Sequence, residues 1–201
     1  MPTAHLEPAD NPYRSPASLN PAWETSTSHD YGADELIELR AFVGPRADKY
    51  LRKWTPRLDN PVDGDCGFNW AAFFLTSYWL GYRRMYAGAF LVTATFVGLG
   101  IGQEVLFVKV LKLRAVPIGV NLIVWAMVHF VCGLYANRWY LTRAQAAVAA
   151  AHQQRLEGQM LLLNLVNRGG TSWLGILAAF LFTFLASVIG VMLLLGIHFS
   201  T

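Results

Sequence analysis

The sequence is poor in charged residues. Only 14% of its 201 residues are Asp, Glu, Lys or Arg, whereas 54% are hydrophobic. Soluble domains carry about 25% charged residues, because most of their surface faces water. The composition therefore excludes an ordinary soluble domain and favours a membrane protein whose first partner is the lipid bilayer.

Acidic residues are almost missing from the later part of the chain. All but two of the 13 acids, Glu104 and Glu157, precede Cys66. Lys and Arg are spread along the whole sequence, so the part after Cys66 is apolar with an excess of positive charge. Basic residues between long apolar runs indicate contact with anionic lipid headgroups and argue against a nucleic-acid partner.

Cysteine pairs and catalytic motifs are also missing. Cys66 and Cys132 have neither CxxC spacing nor a dense framework, so we expect no disulfide and no metal site. HExxH, GxSxG and Walker motifs are absent, and the GLGIG run (Gly98–Gly102) lies inside an apolar segment and not after a strand. We therefore expect no enzymatic activity and no cofactor.

The N-terminal residues 1–32 are rich in proline, serine and threonine. This composition predicts a disordered tail, although Tyr13, between two prolines, leaves a docking peptide as the alternative. The tail has no apolar stretch of the kind found in signal peptides. We therefore expect internal apolar segments to direct membrane insertion.

Short helices and a linker are predicted over residues 33–65. The first helix covers residues 33–43 and ends at Gly44, and the second runs from Pro45 to about Leu58. The second is amphipathic, which fits a helix lying on an anionic membrane surface or a solvated helix whose aromatic side chains pack on the first. The residues expected to anchor it or to bind lipid headgroups are Lys49, Arg52, Lys53 and Trp54.

The membrane domain, residues 66–201, contains three segments that reach the roughly 20 apolar residues needed to cross a bilayer. They cover about 87–108, 115–137 and 173–199. A fourth segment, Phe68–Tyr82, is uncharged but short, and it is rich in Trp and Tyr, which prefer the headgroup region. We predict an all-α protein with three transmembrane helices and a re-entrant or interfacial aromatic helix; four transmembrane helices are the alternative.

The distribution of positive charge favours three spans. If Phe68–Tyr82 does not cross, most Lys and Arg share one side, and only Lys109, Lys112 and Arg114 lie on the other. The positive-inside rule then places the N-terminus in the cytoplasm. A further helix, over about 142–167, is predicted on the cytoplasmic side.

The stretch FNWAAFFLTSYWLGYRRMY, Phe68–Tyr86, resembles the hallmark of a family of bacterial multi-pass inner-membrane proteins known only as a domain of unknown function. Arg84 stands where that family usually has Lys. FVGPRADKYLRKW, NRWYL and RGGTSW are similar to its short soluble helix, its second-span exit and its third-span entry. The resemblance, over roughly residues 33–190, implies an inner-membrane location and brings no catalytic residue.

Three polar residues in the apolar segments are candidates for function, because such groups are costly inside a membrane. Glu104 lies near the far end of the first span, and Asn121 and His129 share one face of the second. They fit an ion- or proton-coupled site in a small oligomeric transporter or channel. The alternative is that Glu104 lies at the interface while His129 bonds a neighbouring helix.

Arg83 and Arg84 directly follow the aromatic segment. They fit a site for an acidic lipid headgroup, or a positive anchor on the cytoplasmic side. Small residues recur every four positions in the first and third spans, and such ridges let helices pack closely, within the chain or between copies. The ridge residues are Ala94, Gly98, Gly102, Gly175, Ala179, Thr183 and Ser187.

Together these features predict a non-enzymatic membrane scaffold that binds lipid or an unidentified protein partner through a basic and aromatic collar. We also expect it to associate with further copies of itself.

Overall fold

A computed structural model describes residues 33–199, and every secondary-structure element in that range is a helix. The predicted tail, residues 1–32 with Tyr13, lies outside the described residues. The helices are α1 (Ala33–Val43), α2 (Ala47–Asp59), α3 (Trp70–Tyr82), α4 (Tyr86–Glu104), α5 (Ile118–Gln153), α6 (Gly158–Arg168) and α7 (Trp173–Phe199). A short π-helix, Val105–Val110, continues α4.

Three stretches of helix are long and apolar enough to cross a membrane, as predicted. They are Tyr86–Val110, Ile118–Gln153 and Gly158–Gly196, of which the last comprises α6 and α7 up to Gly196. Most of their side chains are exposed on the surface of the protein. This suits helices that face lipid, because exposed apolar side chains then contact hydrocarbon and not water. Exposed examples are Leu91, Ile123 and Leu181.

The aromatic segment forms α3, which is too short to span. Its 13 residues correspond to about 20 Å of helix, against a hydrocarbon core of about 30 Å. Thr76 interrupts it with φ 39° and ψ −111°, a conformation that β-branched residues seldom adopt.

Both ends of α3 lie beside the same part of α5. Asn69, which precedes α3, donates its side-chain amide to the side-chain oxygen of Asn137 over 2.8 Å. Arg83, which follows α3, donates to the hydroxyl of Tyr140, less than one turn farther along α5. The chain therefore enters and leaves this segment at one level of α5, a geometry that fits the predicted re-entrant or interfacial helix.

The middle of α3 reaches deeper along α5. The carbonyl oxygen of Phe73 lies 2.6 Å from Nδ1 of His129. The eight residues that separate His129 from Asn137 correspond to about 12 Å of helix rise. Non-helical backbone is tolerated at such a depth only where protein groups surround it or a polar cavity borders it.

The helix predicted over about 142–167 is in two parts. The 36-residue α5 continues past the predicted end of the second span to Gln153, and α6 begins at Gly158. Arg155 and Gly158 both have φ +54°, which ends one helix and redirects the chain before the next. Composition alone favoured one continuous helix, because the residues of this whole stretch are mostly good helix formers.

The tightest packing is found at one end of the long helices. We call α1, α2, α6 and the part of α5 from Asn137 onward the headpiece. A ring cluster fills it, in which Tyr140 lies 5.9 Å from Phe42, 5.2 Å from Tyr50 and 5.4 Å from Trp54, between ring centroids. Leu39, Trp54, Tyr140 and Leu165 are 0% exposed.

Candidate anion-binding site

Asn137 joins the headpiece to the re-entrant segment. It is 1% exposed, and its side-chain nitrogen donates to the carbonyls of Cys66 and Gly67 over 3.1 and 2.8 Å. Its side-chain oxygen accepts from Asn69, and its own carbonyl accepts from the indole nitrogen of Trp54 over 3.1 Å. One side chain on α5 therefore fixes the linker before α3 and the entry of α3.

Arg83 is the most unusual residue at this level, because it is charged and only 2% exposed. Its guanidinium carbon lies 4.5 Å from the ring centroid of Tyr50, 5.0 Å from that of Tyr140 and 5.8 Å from that of Tyr82. Aromatic faces attract a cation, and a desolvated contact of this kind contributes about 2 kcal/mol. The three rings hold the guanidinium in place without neutralising its charge.

Other cations border the same space. Arg83 lines a cleft of about 250 Å³ between α2 and α3 together with Arg46, Lys49 and Lys53; we call it the Arg83 cleft. Burial and the neighbouring Lys49 lower the pKa of Lys53, and Asp65 opposes this shift. The repulsion among these basic side chains would be relieved by a bound anion.

Asp65 acts on Lys53, but Arg83 itself has no carboxylate partner among the described residues. No Asp or Glu carboxylate within residues 33–199 lies within 4.0 Å of the Arg83 guanidinium. The Nε of Arg83 is buried and has no hydrogen-bond partner there. A buried charge without a counter-charge costs several kcal/mol. A bound anion would supply that counter-charge and accept hydrogen bonds from the basic side chains of the Arg83 cleft.

The residues predicted to form a basic collar divide into two groups. Lys49 and Lys53 line the Arg83 cleft, and Lys53 donates to the carbonyl of Phe68 over 2.7 Å. Arg52 is exposed and bonds only the backbone of its own helix. Trp54 was expected at the lipid interface, but it is fully buried, and its indole nitrogen donates to the Asn137 carbonyl on α5.

Arg84 points away from Arg83. One of its terminal nitrogens donates to the carbonyl of Asn167, which ties the exit of α3 to α6. Arg84 also borders a second, wider cleft of about 890 Å³, together with Arg143 and Arg168. These three cations lie at the same end of the bundle as the Arg83 cleft, where the sequence predicts cytoplasm.

The intramembrane polar residues are not brought together. His129 bonds Phe73 and borders a cavity between α4, α5 and α7, whereas Glu104 and Asn121 are half-buried and do not line that cavity. The paired use of Glu104 and His129 therefore stays a prediction without a shared site.

The small residues behave differently in the two spans. Gly175 packs so closely on α3 that a Cβ atom there would collide with the carbonyl of Gly81, and Ala179 lies beside it. Ala94, Gly98 and Gly102 instead face outward, and an added Cβ at either glycine meets nothing within 4 Å.

The last two residues of the α7 ridge lie deeper. Thr183 is 3.4 Å from Thr93, between hydroxyl oxygens, and Ser187 bonds the Thr183 carbonyl over 2.8 Å.

Cys66 and Cys132 are buried and unpaired. In the part of the chain that the structure describes, no three side chains of the metal-ligating types come together. The donors around the Arg83 cleft are cationic, which also suits an anion and not a metal ion.

Comparison with known proteins adds a family match. Residues 48–145 match the model of a family described as a protein of unknown function, DUF2628. The DUF2628 match runs from α2 into α5 and holds Arg83, Asn137 and Tyr140. It covers less of the chain than the roughly 33–190 predicted from the motifs, and its description assigns no activity. Comparisons with curated proteins and with solved structures give no match.

Sequence reasoning identified the cations of the site and missed the residues that hold them. Tyr50, Asn69, Asn137 and Tyr140 were not singled out, although the last three lie in the FNW and NRWYL stretches of the resemblance. A buried polar residue is recognisable from a single sequence only when a partner is known, and these partners lie far apart along the chain.

Proposed function

We propose that this protein is a non-enzymatic, multi-pass membrane protein that binds the anionic headgroup of a phospholipid in the Arg83 cleft. The observation that carries the proposal is a buried guanidinium with an unpartnered Nε and no carboxylate counter-charge among the described residues. Arginine presents planar donors that match a phosphate, and aromatic stacking keeps them oriented.

The position of the cleft supports a lipid as the source of that phosphate. The cleft lies where the re-entrant segment enters and leaves the bundle, which is the level of the headgroups if the three spans cross the membrane. Basic pockets on the cytoplasmic side of membrane helices are suited to anionic lipids. The excess of Lys and Arg at this end favours a cytoplasmic orientation in the inner membrane.

The non-enzymatic assignment rests on the type of group that lines the cleft. Its lining consists of Arg, Lys, Asn and aromatic or aliphatic side chains, with no carboxylate, His or Cys among them. Such groups hold and orient an anion. General acid–base catalysis at neutral pH more often uses His or a tuned carboxylate.

Thermal unfolding of the full chain in a neutral detergent tests the proposal. Phosphatidylglycerol should raise the unfolding temperature of the wild type, and phosphatidylcholine should not. At a lipid concentration of 100 Kd, binding adds about 2.7 kcal/mol to stability. Arg83→Gln and Lys49→Gln should each reduce this rise.

Arg52→Gln is the matched control, because Arg52 lies on the same helix, is exposed and does not line the cleft. It should keep the full response to phosphatidylglycerol. Equal responses of the wild type, Arg83→Gln and Lys49→Gln would show that the headgroup binds elsewhere. If Arg83→Gln fails to fold, the response of Lys49→Gln to phosphatidylglycerol still tests the proposal, because Lys49 is exposed and its substitution should not disturb folding.

Self-association is a second, separate part of the proposal. Among the described residues, none packs against Gly98 or Gly102 on the outward ridge of Ala94, Gly98 and Gly102, and this ridge suits close contact with a second copy. Cysteine placed at Gly98 should form cross-links between copies in native membranes, and Gly102→Leu should reduce them.

An unidentified protein partner on the same collar remains the alternative to a lipid. The small-transporter alternative has weaker support, since Glu104 lies outside the cavity that His129 borders.

A further inference from the structure

A separate cavity of about 430 Å³ lies deeper in the bundle, beside the break in α3. Thr76 and Ser77 border it from the break, His129 and Trp125 from α5, and further residues from α4 and α7. We call it the kink cavity. Along their described lengths α5 and α7 do not pack on each other, because α3 lies between them. Beyond the tip of α3 the space between these two helices stays open.

The lining of the kink cavity carries no formal charge. None of its residues is Asp, Glu, Lys or Arg, and most of the surface is aliphatic or aromatic. Several hydroxyl groups border it. They belong to Thr76, Ser77, Tyr78, Thr93, Thr183 and Ser187.

Two of these hydroxyls have no hydrogen-bond partner among the described residues. Thr76 is 6% exposed and Ser77 4%, and the structure gives neither hydroxyl a hydrogen bond within the residues that it describes. The hydroxyls of Thr93 and Thr183 face each other at 3.4 Å, and that of Ser187 bonds its own helix. A hydroxyl that borders a cavity and has no protein partner is available to bond a ligand or water.

His129 adds a directed acceptor. Its Nδ1 lies 2.6 Å from the Phe73 carbonyl, and a carbonyl oxygen only accepts, so Nδ1 carries the hydrogen. In the neutral imidazole the other nitrogen, Nε2, is then the acceptor. The ring is held between those of Phe73 and Phe96, at 6.0 and 5.5 Å between centroids.

We propose that the kink cavity binds an uncharged, lipid-soluble alcohol or phenol by its hydroxyl head. The ligand hydroxyl donates to Nε2 of His129, and its oxygen accepts from Thr76 or Ser77. The aromatic and aliphatic walls take the apolar body, which enters from the bilayer between α5 and α7. The volume lies within the usual range of small-molecule sites, about 300–1,000 Å³.

The lack of charge in the lining decides against an ionised head. A carboxylate or phosphate here would lose its water without gaining a counter-charge, which costs far more than hydroxyl contacts return. This site is therefore distinct in chemistry from the Arg83 cleft, and either can fail without the other.

Photolabelling of the full chain in phosphatidylcholine nanodiscs tests the inference. The probe is a diacylglycerol with a diazirine in one acyl chain, and the comparison probe is its methyl ether, which lacks the O–H. We expect the alcohol to label peptides that border the kink cavity. The ether should label them about fivefold to tenfold less, the factor expected when one buried hydrogen bond is lost.

Matched glycine variants show whether the label depends on this space. Gly100 borders the cavity and Gly119 does not, and an added Cβ meets nothing within 4 Å at either position. Gly100→Leu should therefore fill the cavity and abolish its labelling, whereas Gly119→Leu should leave the labelling unchanged.

His129→Asn keeps an amide donor near the Phe73 carbonyl and removes the Nε2 acceptor. It should reduce labelling by the alcohol to the level of the ether. Equal labelling by the alcohol and the ether, or equal labelling of the wild type and Gly100→Leu, would overturn the inference. Labelling by the alcohol that is confined to outward-facing peptides would also overturn the inference.

Discussion

Arg83 and Tyr140 contact each other in two ways: the guanidinium lies 5.0 Å from the ring centroid, and one of its nitrogens donates to the hydroxyl over 3.4 Å. Arg83 is the first residue after the re-entrant segment, and Tyr140 belongs to α5. The pair therefore ties the exit of α3 to the second span and orients the charge of the candidate site at the same time.

The ring of Tyr140 should matter more than its hydroxyl. Tyr140→Phe removes one hydrogen bond and should lower the free energy of unfolding by about 1 kcal/mol. Tyr140→Ala also removes a buried ring and should cost about 3–5 kcal/mol. SDS titration followed by tryptophan fluorescence measures both. Equal losses for the two variants would contradict the packing described for Tyr140.

Asn137 should be the most sensitive polar position in the headpiece. Asn137→Ala removes three side-chain hydrogen bonds, to Asn69, Cys66 and Gly67, and leaves buried groups without partners. We expect a loss of about 2–4 kcal/mol in the same titration. Asn167→Ala is the control, because Asn167 is exposed and bonds Arg84 only through its backbone.

The three spans were predictable because each is a long run with almost no formal charge, and this property is local. The length of α3, too short to span, was also readable from the sequence, and its Trp and Tyr content led to the prediction of a re-entrant or interfacial helix. The break at Thr76 was not, because the side chain that bonds the nearby Phe73 carbonyl, His129, lies far along the chain.

The cations of the candidate site were predictable in type but not in arrangement. Arg83 and Arg84 are adjacent in sequence and look equivalent. In the structure one enters an aromatic cage and the other bonds α6. The position of Trp54 was not predictable for the same reason. In the sequence of an amphipathic helix, an interfacial tryptophan cannot be distinguished from a buried one.

The contact between α3 and α7 should not tolerate a methyl group. Gly175→Ala places a Cβ against the Gly81 carbonyl, so the helices must move apart. Overpacking of this kind costs about 1–3 kcal/mol. Gly98→Ala, where the space is open, should leave stability unchanged or raise it. A stable Gly175→Ala protein with unchanged SDS midpoint would contradict the close approach of these helices.

Labelling of single cysteines should place both ends of α3 on one side of the membrane. Cys66 and Cys132 are 3% and 2% exposed, and burial raises the pKa of the Cys66 thiol, so the native background should react slowly. Cysteine at Asp63 and at Arg84 should react with an impermeant maleimide from the same side, and cysteine at Lys112 from the opposite side. Reaction of the Asp63 and Arg84 positions from opposite sides would instead establish four spans.

Native mass spectrometry of the detergent-purified chain tests the central claim most directly, because it counts bound lipids. After mild delipidation and titration with equal amounts of phosphatidylglycerol and phosphatidylcholine, the wild type and Arg52→Gln should retain one phosphatidylglycerol. Arg83→Gln and Lys49→Gln should lose it at the same collision energy. Retention of that lipid by both Arg83→Gln and Lys49→Gln, or equal retention of the two lipids by the wild type, would contradict headgroup binding in the Arg83 cleft.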